Sequence, residues 1–139
     1  WFRPEETRRE FARVLKPGGW VALVWNQRAT STPLQAEYEA MLFKYSAEYA
    51  KSGHRKQDDA VLARFFSPDG YRKLVFENGR EQDLASLKGL LRSSSYAPKE
   101  STPEFAPMMA ELEEIFARHS VKGRVRFAYE TRMFLGRVG

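Results

Sequence analysis

The chain has 139 residues, 42% hydrophobic and 29% charged, a balance that fits one globular domain. No apolar run approaches the roughly 18 residues of a membrane-spanning helix, and no charged-then-apolar leader is visible. Cysteine is absent, which rules out disulfides and thiolate metal sites and leads to the expectation of a cytoplasmic location.

The net charge of +5 raises the question of nucleic acid. Much of the excess gathers near the end, where Lys122, Arg124, Arg126, Arg132 and Arg137 face one acid, Glu130. No stacking platform or basic helix accompanies them. They read as solvated ends and the polar face of a strand, so neither nucleic acid nor a membrane is expected as a partner.

In chain order, "RPEETRREFARVLKPGG" predicts a helix. Pro4 suits its first turn, Glu5 and Glu6 favour the positive end of its dipole, and Pro17 with Gly18-Gly19 stops it. Phe11, Val14 and Leu15 form its apolar stripe. The run "WVALVW", residues 20–25, predicts a strand covered on both faces. Helix, tight turn and strand make half of a βαβ unit whose first strand is missing. With Trp1 in place of methionine, this leads to the expectation that the chain is a piece of a longer protein.

"TSTPLQAEYEAMLFKYSAEYAKSG" predicts one long helix, with Thr32 as its cap and Pro33 in its first turn. Leu34, Tyr38, Met41, Leu42, Tyr45 and Tyr49 recur at helical spacing. The tyrosines either line a pocket or form a core face with hydroxyls at the rim. A short helix, "DDAVLARFF", ends at the turn "SPDG".

"YRKLVFENGREQ" reads as a strand in which Asn78-Gly79 could form a hairpin turn. Asp83 can cap "LASLKGLLR", whose apolar side is Leu84, Leu87, Leu90 and Leu91, and "SSSYAPKEST" is a loop. Pro103 opens a helix with Met109, Leu112, Ile115 and Phe116 inward. In the last strand Val125, Phe127, Tyr129, Met133 and Leu135 alternate with charged residues.

The catalytic inventory is sparse. His54 and His119 follow helical segments, a setting that suits helix ends. Asp58-Asp59 suits a helix start, and no further metal ligand is near. Gly18-Gly19 leads from helix to strand, the reverse of a dinucleotide-binding loop.

Taken together, three segments resemble the carboxy-terminal part of class I S-adenosylmethionine-dependent methyltransferases, in the broad type 11 group acting on small molecules. They are "WF" with "REFARVLKPGGWVALVWN", then "ENGREQDLASLKGLLRSSSYAP", then "GRVRFAYETRMFLGRV". The resemblance implies an α/β fold: about three strands of a Rossmann-like mixed sheet in the order 5-7-6, with helical cap insertions at residues 27–56 and 83–119. Residues 1–139 would be the carboxy-terminal part of the domain, without the amino-terminal half that carries the glycine-rich cofactor loop. Arg3 stands where the family often has a capping Asp; Arg cannot accept that cap bond, so the start of the first helix is expected to be frayed.

The same resemblance implies S-adenosylmethionine as the cofactor of the intact enzyme, with Trp1 and Phe2 at its border. Trp25 and Asn26, at the carboxyl end of their strand, would face a small-molecule methyl acceptor with Ser94, Ser95 and Tyr96 of the cap. For the serines the other reading is a helix C-terminal loop. No catalytic base or metal is assigned. Two rival functions are a non-catalytic interaction module derived from the fold, and nucleic-acid binding through the terminal arginines. The uncharged run at residues 20–25 is expected to lack its neighbouring strand, and the chain to self-associate through it.

Overall fold

The computed structural model describes residues 3–52 and 59–138. Nine elements follow one another: α1 (Pro4–Val14), β1 (Trp20–Arg28), α2 (Pro33–Tyr45), α3 (Ala47–Ser52), α4 (Asp59–Phe65), β2 (Tyr71–Gln82), α5 (Leu84–Arg92), α6 (Phe105–His119) and β3 (Val125–Arg137). The strands form an open antiparallel sheet in the order β1-β3-β2. The last strand thus lies between the other two. Both pairings are antiparallel, so these three strands make no mixed sheet.

The described residues fall into two compact units: residues 3–27, 59–77 and 130–138 in the first, and residues 28–52 and 78–129 in the second. The first unit holds α1, α4 and the core Val21, Leu62, Phe65, Phe66, Phe134 and Val138. Its aromatic rings meet mostly edge-on or tilted, as their quadrupoles favour: Phe11 on Phe65 at 5.9 Å and Tyr71 on Phe134 at 5.5 Å. Gly136 has no room for a side chain, since a Cβ there would stand 2.5 Å from Phe66 Cδ1 and 2.7 Å from the Gly70 carbonyl.

Helix α1 starts without a side-chain cap, as Arg3 implied, and Arg3 instead donates to Glu6 at 3.0 Å. Phe11 and Leu15 reach the core, but Val14 stays exposed. Strand β1 is not covered on both faces. Val21, Leu23 and Trp25 pack inward, whereas Trp20 is 54% and Val24 55% exposed. Among the described residues Arg137 lies over the Trp20 ring, but the second face stays largely open, so a run of six apolar residues behaves as a half-buried strand.

The second unit is built on α2, α5 and α6, with Tyr38, Met41, Leu42, Leu87, Leu91, Leu112 and Ile115 at its centre. Ion pairs reinforce the outer seam of α2 and α6, with Lys44 on Glu111 at 2.5 Å and Arg118 on Glu37 at 2.6 Å. The caps read from the sequence are present: Thr32 Oγ1 accepts from the Gln35 amide at 3.2 Å and Asp83 Oδ1 from the Ser86 amide at 2.8 Å.

Four expectations are corrected here. The long second helix breaks at Ser46 into α2 and α3, because the Ser46 hydroxyl accepts from the Tyr49 amide at 2.9 Å and starts a new helix. Asn78-Gly79 makes no hairpin; Asn78 Oδ1 accepts from the Gly79 amide and the strand continues to Gln82. Helix α6 begins at Phe105 rather than Pro103, because the Thr102 amide and hydroxyl both donate to the Lys99 carbonyl in a preceding turn. In β3 the second unit buries Val125 and Phe127 as expected, but the first buries Phe134 and Gly136 in place of Met133 and Leu135.

Candidate functional site

The polar centre of the second unit is a buried arginine. Arg28 ends β1, and its guanidinium enters a cage of side chains from α2, α3 and the loop after α5. Its Nη2 donates to Tyr49 Oη at 2.5 Å and to Glu39 Oε2, and its Nη1 donates to Tyr96 Oη at 3.3 Å. Tyr49 Oη donates in turn to Glu39 Oε1 at 2.6 Å. The guanidinium carbon also lies 5.1 Å from the Tyr38 ring centroid and 5.7 Å from that of Tyr49. Arg28 and Glu39 side chains are each only 12% exposed.

Burial opposes the charge on Arg28, but Tyr49, Tyr96 and Glu39 outweigh it and keep its pKa above the usual arginine value. Burial raises the Tyr38 phenol, and burial together with its bond to Glu39 raises that of Tyr49. The Arg28 Nε is buried without a hydrogen-bond partner among the described residues. A charge so enclosed is stable only with its counter-charge beside it.

Tyr96 is held at two points. Besides the Arg28 bond to its hydroxyl, its carbonyl accepts from Ser46 Oγ at 2.6 Å, and its ring packs 4.9 Å from that of Tyr49. These bonds fix the 95–104 loop against the junction of α2 and α3, and a cavity of about 400 Å³ opens between them. Its walls include Tyr45, Glu48, Ser95, Tyr96, Lys99 and Thr102. Apolar rings, hydroxyls and charges of both signs suit a small polar organic molecule. A smaller hollow of about 250 Å³ adjoins it along Ser94, Ser95 and Pro98.

The structure thus brings Ser95 and Tyr96 to one cavity. Ser94 borders the smaller hollow, but its hydroxyl donates to the Leu90 carbonyl at 3.1 Å, the helix-ending role that was its other reading. Trp25 and Asn26 belong to the first unit. There Trp25 stacks on Phe134 at 4.8 Å, and Asn26 Oδ1 accepts from Thr131 Oγ1 at 2.7 Å. Trp1, Phe2 and His54 lie outside the described residues. His119 ends α6, its Nε2 2.9 Å from Glu37 Oε1. Among the described residues no group of acids and histidines could hold a metal ion, and no helix is long and apolar enough to cross a membrane.

Sequence reasoning missed Arg28 and Glu39. A signal was present: Glu39 sits beside Tyr38 on a helix whose neighbouring positions are apolar, and a carboxylate there needs a cation.

An α/β chain with an open three-stranded sheet and six helices among its described residues is compatible with part of a methyltransferase-like fold. Sequence comparison points the same way. An uncharacterized methyltransferase-like protein of Schizosaccharomyces pombe is 30% identical over 140 residues, covering 96% of this chain and 53% of that protein. An uncharacterized methyltransferase of the same organism is 31% identical over 118 residues, covering 83% of this chain and 45% of its own length. The chain is therefore related to methyltransferases, and it spans about half the length of the curated relatives it matches. No protein-family model matches it.

Proposed function

We propose that this chain is the substrate-side part of a class I S-adenosylmethionine-dependent methyltransferase acting on a small molecule. The observation that carries the reading is the match along 96% of the chain to a methyltransferase-like protein. On this reading β1, β2 and β3 are the fifth, sixth and seventh strands of the family's sheet. The order β1-β3-β2 supports that assignment.

The described residues do not by themselves fit the cofactor. The positive-φ glycines Gly18, Gly70 and Gly123 stand in turns that leave a helix or enter a strand, and none opens a helix as an adenosine-binding loop does. The chain's own contribution is binding and orientation of the methyl acceptor, which supplies much of the barrier reduction in group transfer. Tyr96 and Ser95 line the acceptor cavity, and Arg28 holds the Tyr96 hydroxyl. Trp25 and Asn26 are proposed acceptor-side residues of the first unit.

The test is Tyr96→Ala and Tyr96→Phe in the full-length protein, comparing acceptor kinetics with cofactor affinity. Tyr96→Ala should raise the acceptor KM about tenfold or more while cofactor affinity stays within about twofold. Equal losses in both would refute the assignment of this cavity to the acceptor.

A further inference from the structure

We infer that the methyl acceptor carries a hydrogen-bond-accepting oxygen, a carboxylate or a carbonyl, received by unmet donors around Arg28; this rests on the reading of the cavity beside Tyr96 as the acceptor site. Arg28 Nη1 donates to Tyr96 Oη at 3.3 Å, so that oxygen serves as an acceptor. The proton of the Tyr96 hydroxyl has no partner among the described residues. Arg28 Nε is buried and equally unmet. Tyr38, only 1% exposed, and the half-buried Tyr129 make no hydrogen bond among the described residues.

All four residues belong to the second unit, and they are neighbours there. The Tyr38 ring lies under the guanidinium, and the Ala29 amide donates to the Ala128 carbonyl across the antiparallel strands β1 and β3. That bond sets Arg28 opposite Tyr129 on one face of the sheet. The phenols also act on one another: after burial, Tyr96 and then Tyr129 raise the pKa of Tyr38, while Arg28 lowers it. The carboxylate and carbonyl acceptors of the cluster are already taken. Both Glu39 oxygens accept, from Arg28 and Tyr49, and the Tyr96 carbonyl accepts from Ser46. What is missing is therefore an acceptor, and a buried donor left without one costs stability. Arg28 and Glu39 cancel in charge, so a neutral carbonyl enters without leaving a charge unpaired, and the converging donors suit a carboxylate as well. A cationic amine only donates; it reaches the phenol oxygens alone and leaves Arg28 Nε unmet.

The experiment is an NMR titration of the full-length protein with benzoate, acetophenone and benzylamine. The three probes share one ring and differ in the group it bears: an anionic oxygen, a neutral carbonyl oxygen and a cationic amine. At least one oxygen probe should bind about fivefold or more tightly than benzylamine, the worth of roughly one hydrogen bond. Which oxygen probe binds tighter distinguishes a carboxylate acceptor from a carbonyl one. Tyr96→Phe should bring the ratio to within about twofold, and Tyr129→Phe, a second variant that keeps its ring, should lower it too. Circular dichroism checks that both fold, and a ratio of affinities does not depend on the folded fraction. Benzylamine bound as tightly as the oxygen probes, no binding of any probe, or a preference that the folded variants keep overturns the inference. The Tyr96→Ala kinetics separate it from the reading beneath it. A raised acceptor KM beside a preference for benzylamine overturns the inference alone, whereas an unchanged acceptor KM overturns both.

Discussion

Removing the counter-charge of Arg28 should be the most damaging single polar change in the second unit. In Glu39→Gln the shape of the side chain is kept and one acceptor still meets the guanidinium, but its charge is lost. Breaking one partner of a buried ion pair costs about 3–5 kcal/mol. Here Tyr49 and Tyr96 still accept from Arg28, and Tyr38 still offers its ring face. The loss should therefore fall at the lower end, about 3 kcal/mol. With an unfolding entropy of about 2.1 cal/mol/K per residue, a cooperative transition would shift down by about 10 °C. Arg28→Met should cost as much, since it leaves the carboxylate buried without its counter-charge, although Tyr49 still donates to it. The double change Arg28→Met with Glu39→Leu should recover to within about 1 kcal/mol of the wild type, because an apolar replacement of a buried pair is often neutral. Urea unfolding of the wild type, Arg28→Met, Glu39→Leu and the double variant completes the cycle, with Glu39→Gln measured beside them. Single variants within about 0.5 kcal/mol of the wild type, or a double variant equal to the sum of the singles, would refute the reasoning.

Three further outcomes follow from other parts of the molecule. Gly136→Ala should destabilise by about 1–3 kcal/mol in urea unfolding, because the new methyl group meets the Phe66 ring and a backbone carbonyl. Asp83→Ala should lower the Tm at pH 7. The Ser86 amide and hydroxyl hold the Asp83 carboxyl below its usual 3.8, so that stabilisation is present above this value and fades as pH falls through the lower, folded-state pKa. The gap between variant and wild type should close as pH falls well below 3.8, and a Tm difference that persisted once the carboxyl is protonated would contradict the capping role. At the alkaline end, Tyr38, Tyr49 and Tyr129 are all raised chiefly by burial. A phenol raised on folding keeps its proton longer in the native state, so stability should fall as pH rises above about 10. Absorbance at 295 nm should show these phenols ionising together with unfolding.

Much of the local structure is legible from the residues because its causes are local. Thr32 and Asp83 mark helix starts through bonds that reach three residues, Pro33 through its fixed φ in the first turn, and the apolar spacing of α5 and α6 marks their inner faces. Ser46 breaks a periodic helix because its hydroxyl is needed by Tyr49 and by the Tyr96 carbonyl, 50 residues away. No pattern within the helix announces that partner. The same holds for β3. Alternation is visible in its sequence, but which parity each half buries depends on the core that each half joins. Tyr96 and Ser95 could be singled out from their loop. Arg28 and Glu39 could not be matched to each other, since 11 residues and a chain reversal separate them.

Gln35 draws a consequence from its burial in α2. Its side-chain amide donates from Nε2 to the Ala128 carbonyl at 2.7 Å and accepts the Ala128 amide at Oε1 at 3.4 Å. That carbonyl also accepts from the Ala29 amide at 3.1 Å. The glutamine thus pairs with the N–H and C=O of one residue of β3, much as a neighbouring strand would. Hydrophobic alternation forbids a strand from slipping by one residue, because every side chain would change face, but it is blind to a slip of two. A slip of two would bring Arg126 or Glu130 to the amide with the same parity, and the paired bonds to Ala128 tell these positions apart. Gln35 supplies an absolute address where the apolar pattern supplies only odd and even, and through it the helix that carries Tyr38 and Glu39 is set against a single rung of the strand.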